Sequence, residues 1–122
     1  MLFNKTQNKK ITEKTRFADS FFKKFRGLML EKKESFDYAL IFDFGSEKKT
    51  GASIHMLFVF FPIDLVYLDE KKKVTDIKTA ISPWTLNYTP KNPSRFLAEL
   101  PVGAAKGIQI GDKLDWACSE KP

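Results

Sequence analysis

The chain has 122 residues, of which 43% are apolar and 30% are charged, and this composition is typical of one globular domain rather than a disordered chain. Its one cysteine, Cys118, excludes an internal disulfide, and no apolar run reaches the length of a membrane-spanning helix. The first residues also lack the apolar segment of a signal peptide, so we expect a cytoplasmic protein without a membrane span.

The positive charge lies mainly near the N-terminus. The net charge is +6, and residues 1–33 alone carry ten Lys or Arg against three acids. Residues 1–17 form a polar, basic arm in which two weak strands are predicted to turn near Asn8. Basic arms of this kind contact the phosphates of nucleic acids, and the alternative is that these lysines form a solvated edge of the fold.

Residues 18–30 predict a short helix. Asp19 or Ser20 is placed to cap its first turn, and Gly27 is placed to end it. The apolar side chains that recur there at helical spacing are Phe21, Phe22, Phe25 and Leu28. We therefore predict a helix over residues 20–26 whose aromatic face packs on a sheet.

The middle of the chain predicts three strands. Residues 38–44 have strong β character, and Gly45 is expected to end that strand. The most apolar segment of the chain follows, and Pro62 divides it, because proline lacks the N–H that a continuous strand or helix needs. We expect one strand over residues 54–60 and another over residues 63–68, with both faces covered.

The last part of the chain predicts further strands joined by turns. Residues 69–73 are expected to connect a hairpin, and residues 74–78 alternate in the manner of a strand with one wet face. A proline-rich loop over residues 82–94 follows. The remaining predicted elements are a strand over residues 95–100, a helical turn within residues 103–110 and a last strand over residues 113–116.

About seven short strands and one short helix near residues 20–26 indicate a mainly β fold, that is, a β-rich α+β domain. Because the connections are short, we expect largely antiparallel pairing in a small barrel-like or sandwich domain. Residues 18–116 are its expected core, residues 1–17 the basic arm and residues 117–122 a tail.

His55 and Asp64 are the candidates for chemistry in the apolar segment. They lie on either side of Pro62, so they meet if the two strands fold back, as a general base and the acid that orients it. The alternative is structural, because a carboxylate among apolar residues needs hydrogen bonds. In that interpretation Asp64 caps a turn or accepts hydrogen bonds from Arg26.

Other signatures of catalysis or cofactor binding are absent from the sequence. One histidine and no cysteine pair leave only scattered carboxylates, so we predict no metal, and the glycine spacing matches no phosphate loop, so we predict no cofactor. Trp84 lies in the proline-rich loop, where it requires cover or a ligand. With Lys91 and Arg95 it is suited to line a groove for a polymer or an anionic ligand.

Short motifs along the chain together resemble the DUF192 family, also called UPF0127, and its archaeal members most of all. In chain order they are Arg26-Gly27-Leu28-Met29, Leu40-Ile41-Phe42, Ile54-His55-Met56, Phe61-Pro62-Ile63-Asp64, Tyr67-Leu68-Asp69, Ala98-Glu99-Leu100-Pro101-Val102-Gly103 and Gly111-Asp112. The resemblance implies a small β-rich domain and no particular activity, because the family is uncharacterised. If Arg26, Asp64 and Glu99 converge, they form a core network or a ligand pocket. The residues that the family pattern singles out are Arg26, Gly27, Met29, Met56, Asp64, Glu99, Gly103, Gly111 and Asp112.

We therefore expect a monomeric, non-enzymatic β domain that binds a small or polymeric ligand or a protein partner. The candidate ligand-binding residues are Arg26, His55, Asp64, Trp84 and Glu99. Two alternatives stay open. One is an enzyme that uses His55 and Asp64 as an acid–base pair, and the other is a nucleic-acid-binding protein that uses the basic N-terminal region.

Overall fold

A computed structural model of the protein describes residues 1–18, 36–48, 61–82 and 88–117. Eight strands lie within these ranges. They are β1 (Leu2–Asn4), β2 (Lys9–Thr12), β3 (Lys14–Ala18), β4 (Tyr38–Lys48), β5 (Ile63–Leu68), β6 (Val74–Ile81), β7 (Ser94–Pro101) and β8 (Leu114–Trp116). The helix predicted over residues 20–26 and the strand predicted over residues 54–60 lie outside the described residues.

The eight strands form two sheets. A three-stranded sheet has the order β2-β1-β8, and a five-stranded sheet has the order β3-β4-β7-β5-β6. Neighbouring strands are antiparallel except β3 and β4, which are parallel. The prediction of a β-rich, largely antiparallel domain is confirmed. Within the described ranges neither sheet closes on itself, so the arrangement is a pair of packed sheets.

The apolar strand β5 shows where the core lies. All six of its side chains are buried, as its β-branched and aromatic composition predicts. Val66 and Leu68 share an apolar cluster with Leu2 of β1 and Leu114 of β8. The three-stranded sheet therefore packs on the side of the five-stranded sheet to which Val66 and Leu68 point.

The opposite side of the five-stranded sheet carries Leu40, Leu65, Tyr67, Leu97 and Glu99, and we call it the Glu99 face. Leu40 and Leu65 are the cross-strand partners of Glu99, and Tyr67 is the partner of Leu97. Directly opposed side chains of antiparallel strands share one face. Because β7 is the middle strand of the sheet, Glu99 lies near the centre of this face, between two leucines.

The hairpin between β5 and β6 is confirmed. β5 begins at Ile63, directly after Pro62, and pairs antiparallel with β6. The turn contains no glycine, but the Oδ1 atom of Asp69 accepts hydrogen bonds from the amides of Lys71 (2.8 Å) and Lys73 (2.9 Å). An aspartate side chain that bonds to the following backbone in this way closes a turn on its own.

The prediction that Gly45 ends β4 is wrong, because β4 continues to Lys48. Gly45 has a φ of +84°, and the register between β4 and β7 shifts between Asp43 and Lys48. A glycine in the left-handed region accommodates an irregularity inside a strand without a steric cost. The glycine therefore marks a bulge rather than the end of the strand.

The two ends of the described chain differ slightly from expectation. Residues 1–18 form three strands rather than two, with Asn8 at a φ of 55° in the first turn. The helical turn predicted within residues 103–110 is a succession of tight turns, in which amides donate to the carbonyl three residues earlier. Among the described residues, no helical segment combines the length and the apolar character that a membrane-spanning helix requires.

Candidate functional site

Asp64 is buried, and three backbone amides bond to its carboxylate. Oδ1 accepts a hydrogen bond from Ala80 at 2.8 Å, and Oδ2 accepts from Gly103 at 2.9 Å and Ala105 at 3.0 Å. Ala80 belongs to β6, whereas Gly103 and Ala105 lie in the turns after β7. Asp64 thus ties β5 to both neighbouring segments, and its hydrogen bonds offset the cost of burying a charge.

Asp64 and Glu99 lie on opposite faces of the five-stranded sheet. In the β5–β7 register, Asp64 is opposite Leu100 and Glu99 is opposite Leu65. Because successive side chains of a strand point to opposite faces, the two acids do not converge. A pocket or network that contains Glu99 therefore does not contain Asp64.

Glu99 is buried without the hydrogen bonds that hold Asp64. It is 5% exposed, and its Oε1 atom has no hydrogen-bond partner among the described residues. Burial raises the pKa of the Glu99 carboxyl to about 8, because water is replaced there by side chains such as Leu40 and Leu65. At neutral pH the carboxyl is therefore mainly protonated, and a protonated carboxyl both donates and accepts hydrogen bonds.

Two tyrosines and a second acid continue the Glu99 face toward β6. The rings of Tyr67 and Tyr88 are stacked with centroids 6.2 Å apart, and the Tyr88 hydroxyl donates to Oδ2 of Asp76 at 3.0 Å. Burial, and then the charge of Glu99, raise the pKa of Tyr67. Burial, and then the bond to Asp76, raise the pKa of Tyr88 to about 12. Both phenols therefore stay protonated.

Asp76 positions this group through further bonds to the backbone. Its Oδ1 atom accepts from the amide of Ile77 at 2.9 Å, and its Oδ2 atom accepts from the amide of Lys91 at 3.1 Å. The carboxylate is buried at the edge of the sheet, on a strand predicted to have one wet face. Asp76 therefore orients Tyr88, and through the stacked rings it fixes Tyr67 beside Leu97 and Glu99.

Sequence analysis selected Glu99 but missed Tyr67 and Asp76. The available signal was the alternation of side chains within each strand. Tyr67 lies two positions after Leu65 in β5, and Leu97 lies two positions before Glu99 in β7, so each pair shares one face of its strand. Alternation alone does not give the register between strands, so it does not show which side chains are neighbours.

Three of the predicted site residues, Arg26, His55 and Trp84, lie outside the described residues, and their roles stay predictions. In the part of the chain that the structure describes, no three His, Cys, Asp or Glu side chains are grouped to hold a metal ion. The described part of the Glu99 face places a neutral carboxyl among buried apolar side chains, whereas the hydroxyl of Tyr88 already donates to Asp76. Such a carboxyl suits hydrogen bonding to a neutral polar group.

Sequence comparisons identify relatives over almost the whole chain. The family model DUF192, described as "Uncharacterized ACR, COG1430", matches residues 2–116. A UPF0127 protein of Thermococcus sibiricus is 43% identical over 123 residues, which cover 99% of this chain and 77% of the relative. A UPF0127 protein of Pyrococcus furiosus is 39% identical over 117 residues, which cover 94% of this chain and 97% of the relative.

A solved structure has a similar fold. A protein of unknown function from Novosphingobium aromaticivorans superimposes with a TM-score of 0.74 at 22% identity, over 84% of this chain and 74% of that one. At this identity the likeness concerns the fold alone. The family match and the archaeal relatives confirm the resemblance inferred from the short motifs. This chain belongs to the uncharacterised DUF192 (UPF0127) family.

Proposed function

We propose that this protein is a non-enzymatic binding domain that takes a small ligand on the Glu99 face, with the Glu99 carboxyl as the main polar contact. The observation that carries the proposal is the buried Oε1 atom of Glu99, which accepts no hydrogen bond from the described residues. A buried polar atom without a partner costs about 1–3 kcal/mol. A ligand that donates a hydrogen bond to this atom recovers that free energy.

The surroundings of Glu99 define the class of ligand. Leu40, Leu65 and Leu97 are buried around it, so a ligand that reaches the carboxyl enters an apolar interior and must itself be mostly apolar. The carboxyl is mainly protonated at neutral pH, so its natural partner is a neutral amide or hydroxyl group rather than a cation. Tyr67 is fully buried on the same face and adds a wall whose orientation is fixed.

Binding without catalysis is supported by the position of the other acids. Asp64, the acid predicted to pair with His55, lies on the other face and is held by three backbone amides. Asp76 is bonded to Tyr88 and to two backbone amides. Glu99 therefore has no second described acid beside it that is free to exchange a proton with a substrate.

A thermal-shift screen of small neutral amides and alcohols tests the proposal. A ligand at about 100 times its Kd adds roughly 2.7 kcal/mol to the free energy of unfolding, which raises Tm by several degrees. We expect at least one compound to stabilise the wild type and the exposed-site control Glu70→Gln. The same compound should not stabilise Glu99→Leu, which keeps the size of the side chain and removes its polar atoms.

Two results of the screen would contradict the proposal. One is that no compound stabilises the wild type. The other is that a stabilising compound acts equally on Glu99→Leu, which would place its site elsewhere. Chemical conversion of a bound compound would favour the enzymatic alternative, so each stabilising compound is recovered and analysed by mass spectrometry after incubation.

A further inference from the structure

Three lysines that are distant in sequence lie side by side on the outer surface. Lys5 follows β1, Lys73 precedes β6 and Lys113 precedes β8. The amide of Lys5 donates to the carbonyl of Lys113 at 2.8 Å, and Lys73 pairs with Lys113 in an isolated antiparallel bridge. We call Lys5, Lys113 and Lys73, in that spatial order, the lysine row.

The alternation of side chains directs the whole lysine row toward solvent. The residues next to the row, which are Asn4, Val74 and Leu114, are buried. Successive side chains of extended chain point to opposite sides, so the three lysines point outward together. All three are exposed, which agrees with this direction.

The lysine row is an unfavourable arrangement for the folded protein by itself. Like charges directly opposite on neighbouring strands are destabilising. Among the described residues, no ion pair involves Lys5, Lys73 or Lys113. Mutual repulsion of the three ammonium groups is therefore not offset by a salt bridge within the described chain.

Three carboxylates close to the lysine row in the fold, those of Asp69, Asp112 and Asp115, accept hydrogen bonds from other groups. Asp69 accepts hydrogen bonds from the amides of Lys71 and Lys73. Asp115 lies near Lys5, but its Oδ1 atom accepts a hydrogen bond from Nζ of Lys72 at 3.0 Å. The buried Asp112 accepts hydrogen bonds at its Oδ2 atom from the residues Asn4, Gln7 and Gln109.

We propose that the lysine row binds the sugar–phosphate backbone of nucleic acid, at a surface separate from the Glu99 face. Neighbouring strands lie about 4.8 Å apart, so the row spans roughly 10 Å. Each nucleic acid strand carries one phosphate per about 3.4 Å of helix axis, so flexible lysines along this length reach two or three successive phosphates. Ammonium groups alone give contacts that are independent of base sequence.

The charge of the whole chain favours nucleic acid over an acidic protein as the partner. The net charge is +6 and the isoelectric point is about 9.4. An isoelectric point above about 9 with lysines gathered on one surface is the electrostatic footprint of a nucleic-acid-binding domain. This inference does not depend on the ligand proposed for Glu99, and it extends the basic surface beyond the N-terminal arm to Lys73 and Lys113.

Fluorescence anisotropy with labelled 20-mer single-stranded and duplex DNA and RNA tests the inference. Affinity is measured over a series of KCl concentrations for the wild type, for K5Q/K73Q/K113Q and for the matched control K78Q/K91Q/K106Q. Both variants remove three exposed lysines, but the control lysines lie in β6, before β7 and in the turns after β7. Because the substituted side chains are exposed, both variants should keep the thermal stability of the wild type or exceed it.

The salt dependence separates the lysine row from a general effect of charge. Each phosphate contact contributes about 0.9 to the slope of log K against log salt for B-DNA. We expect K5Q/K73Q/K113Q to reduce the magnitude of this negative slope by two to three. The control variant should reduce it by less than one. Equal slopes for the two variants, or no binding by the wild type at low salt, would overturn the inference. Tighter binding of polyglutamate or of vesicles with anionic lipid than of nucleic acid would overturn the choice of partner.

Discussion

Glu99 titrates in a way that makes the stability of the folded protein depend on pH. Its pKa is about 8 in the folded protein, against a usual value of 4.5. The folded state binds this proton more tightly than the unfolded state, so the resulting stabilisation is complete below pH 4.5 and is lost as the pH rises through 8. The side chain of Glu99→Gln does not titrate. Relative to that variant, we expect the free energy of unfolding of the wild type to fall by on the order of 4 kcal/mol between pH 4.5 and pH 8.

Urea denaturation of both proteins from acid to mildly alkaline pH measures this difference. The variant Glu70→Gln serves as the control, because it removes an exposed carboxyl from the same chain and should follow the wild type. If the wild type and Glu99→Gln give parallel curves, then Glu99 ionises at an ordinary pKa and the argument for a neutral partner group fails.

Asp64 acts at the scale of elements, since its carboxylate joins β5 to β6 and to the turns after β7. In Asp64→Asn the side chain has one acceptor oxygen, and its NH₂ group faces an amide that it cannot bond. We expect a loss of about 1–3 kcal/mol in the free energy of unfolding, because an amide donor in a buried or half-buried position is left without a partner. Chemical denaturation measures the loss, and hydrogen exchange should quicken at Gly103 and Ala105.

The variant Asp37→Asn is a suitable control for Asp64→Asn. It removes a carboxylate whose ion pair with Lys14, at 2.9 Å, lies on the surface, and exposed pairs contribute little to stability. A similar small effect for Asp64→Asn would show that the three amides find other acceptors, and Asp64 would then be available for another role.

Substitutions of Gly45 test whether β4 contains a bulge at this position. A Cβ at this position would meet no atom within 4 Å, so the cost of Gly45→Ala comes only from a φ of +84°. We expect a loss of about 1–2 kcal/mol, and a smaller loss for Gly45→Asn, because asparagine tolerates the left-handed region. Denaturation midpoints of both variants measure this order. An alanine variant as stable as the wild type would mean that the backbone relaxes into a regular strand.

These elements show which parts of the fold the sequence predicts. Pro62 and Asp69 act on their own backbone, so the start of β5 and the turn after it follow from local chemistry. The placement of Asp64 and Glu99 on opposite faces depends instead on the register of β5 against β7, which is set by long-range packing. For the same reason the sequence singles out Glu99 as a residue but does not show that Tyr67 and Asp76 lie on the same face of the sheet.

At the scale of the whole molecule, the first and last described segments close the fold together. β1 pairs with β8, and the N-terminal ammonium of Met1 donates to the carbonyl of Ala117 at 2.7 Å. Nδ2 of Asn4 donates to Oδ2 of Asp112 at 2.9 Å. The first residues therefore contribute to the core itself, although their composition is that of a basic arm.

Leu2 is the most direct test of this closure, because it is fully buried and packs in the cluster between the two sheets. Leu2→Ala removes apolar contacts to β8 and to the five-stranded sheet, and large-to-small changes of this kind cost about 2–5 kcal/mol. We expect one cooperative unfolding transition with a lower midpoint, and faster hydrogen exchange at Leu114 as well as near residue 2. Lys9→Ala, at an exposed position of β2, should leave the midpoint unchanged. If Leu2→Ala lowered the free energy of unfolding by less than about 1 kcal/mol, the N-terminal segment would be a peripheral arm, and the core would be stable without it.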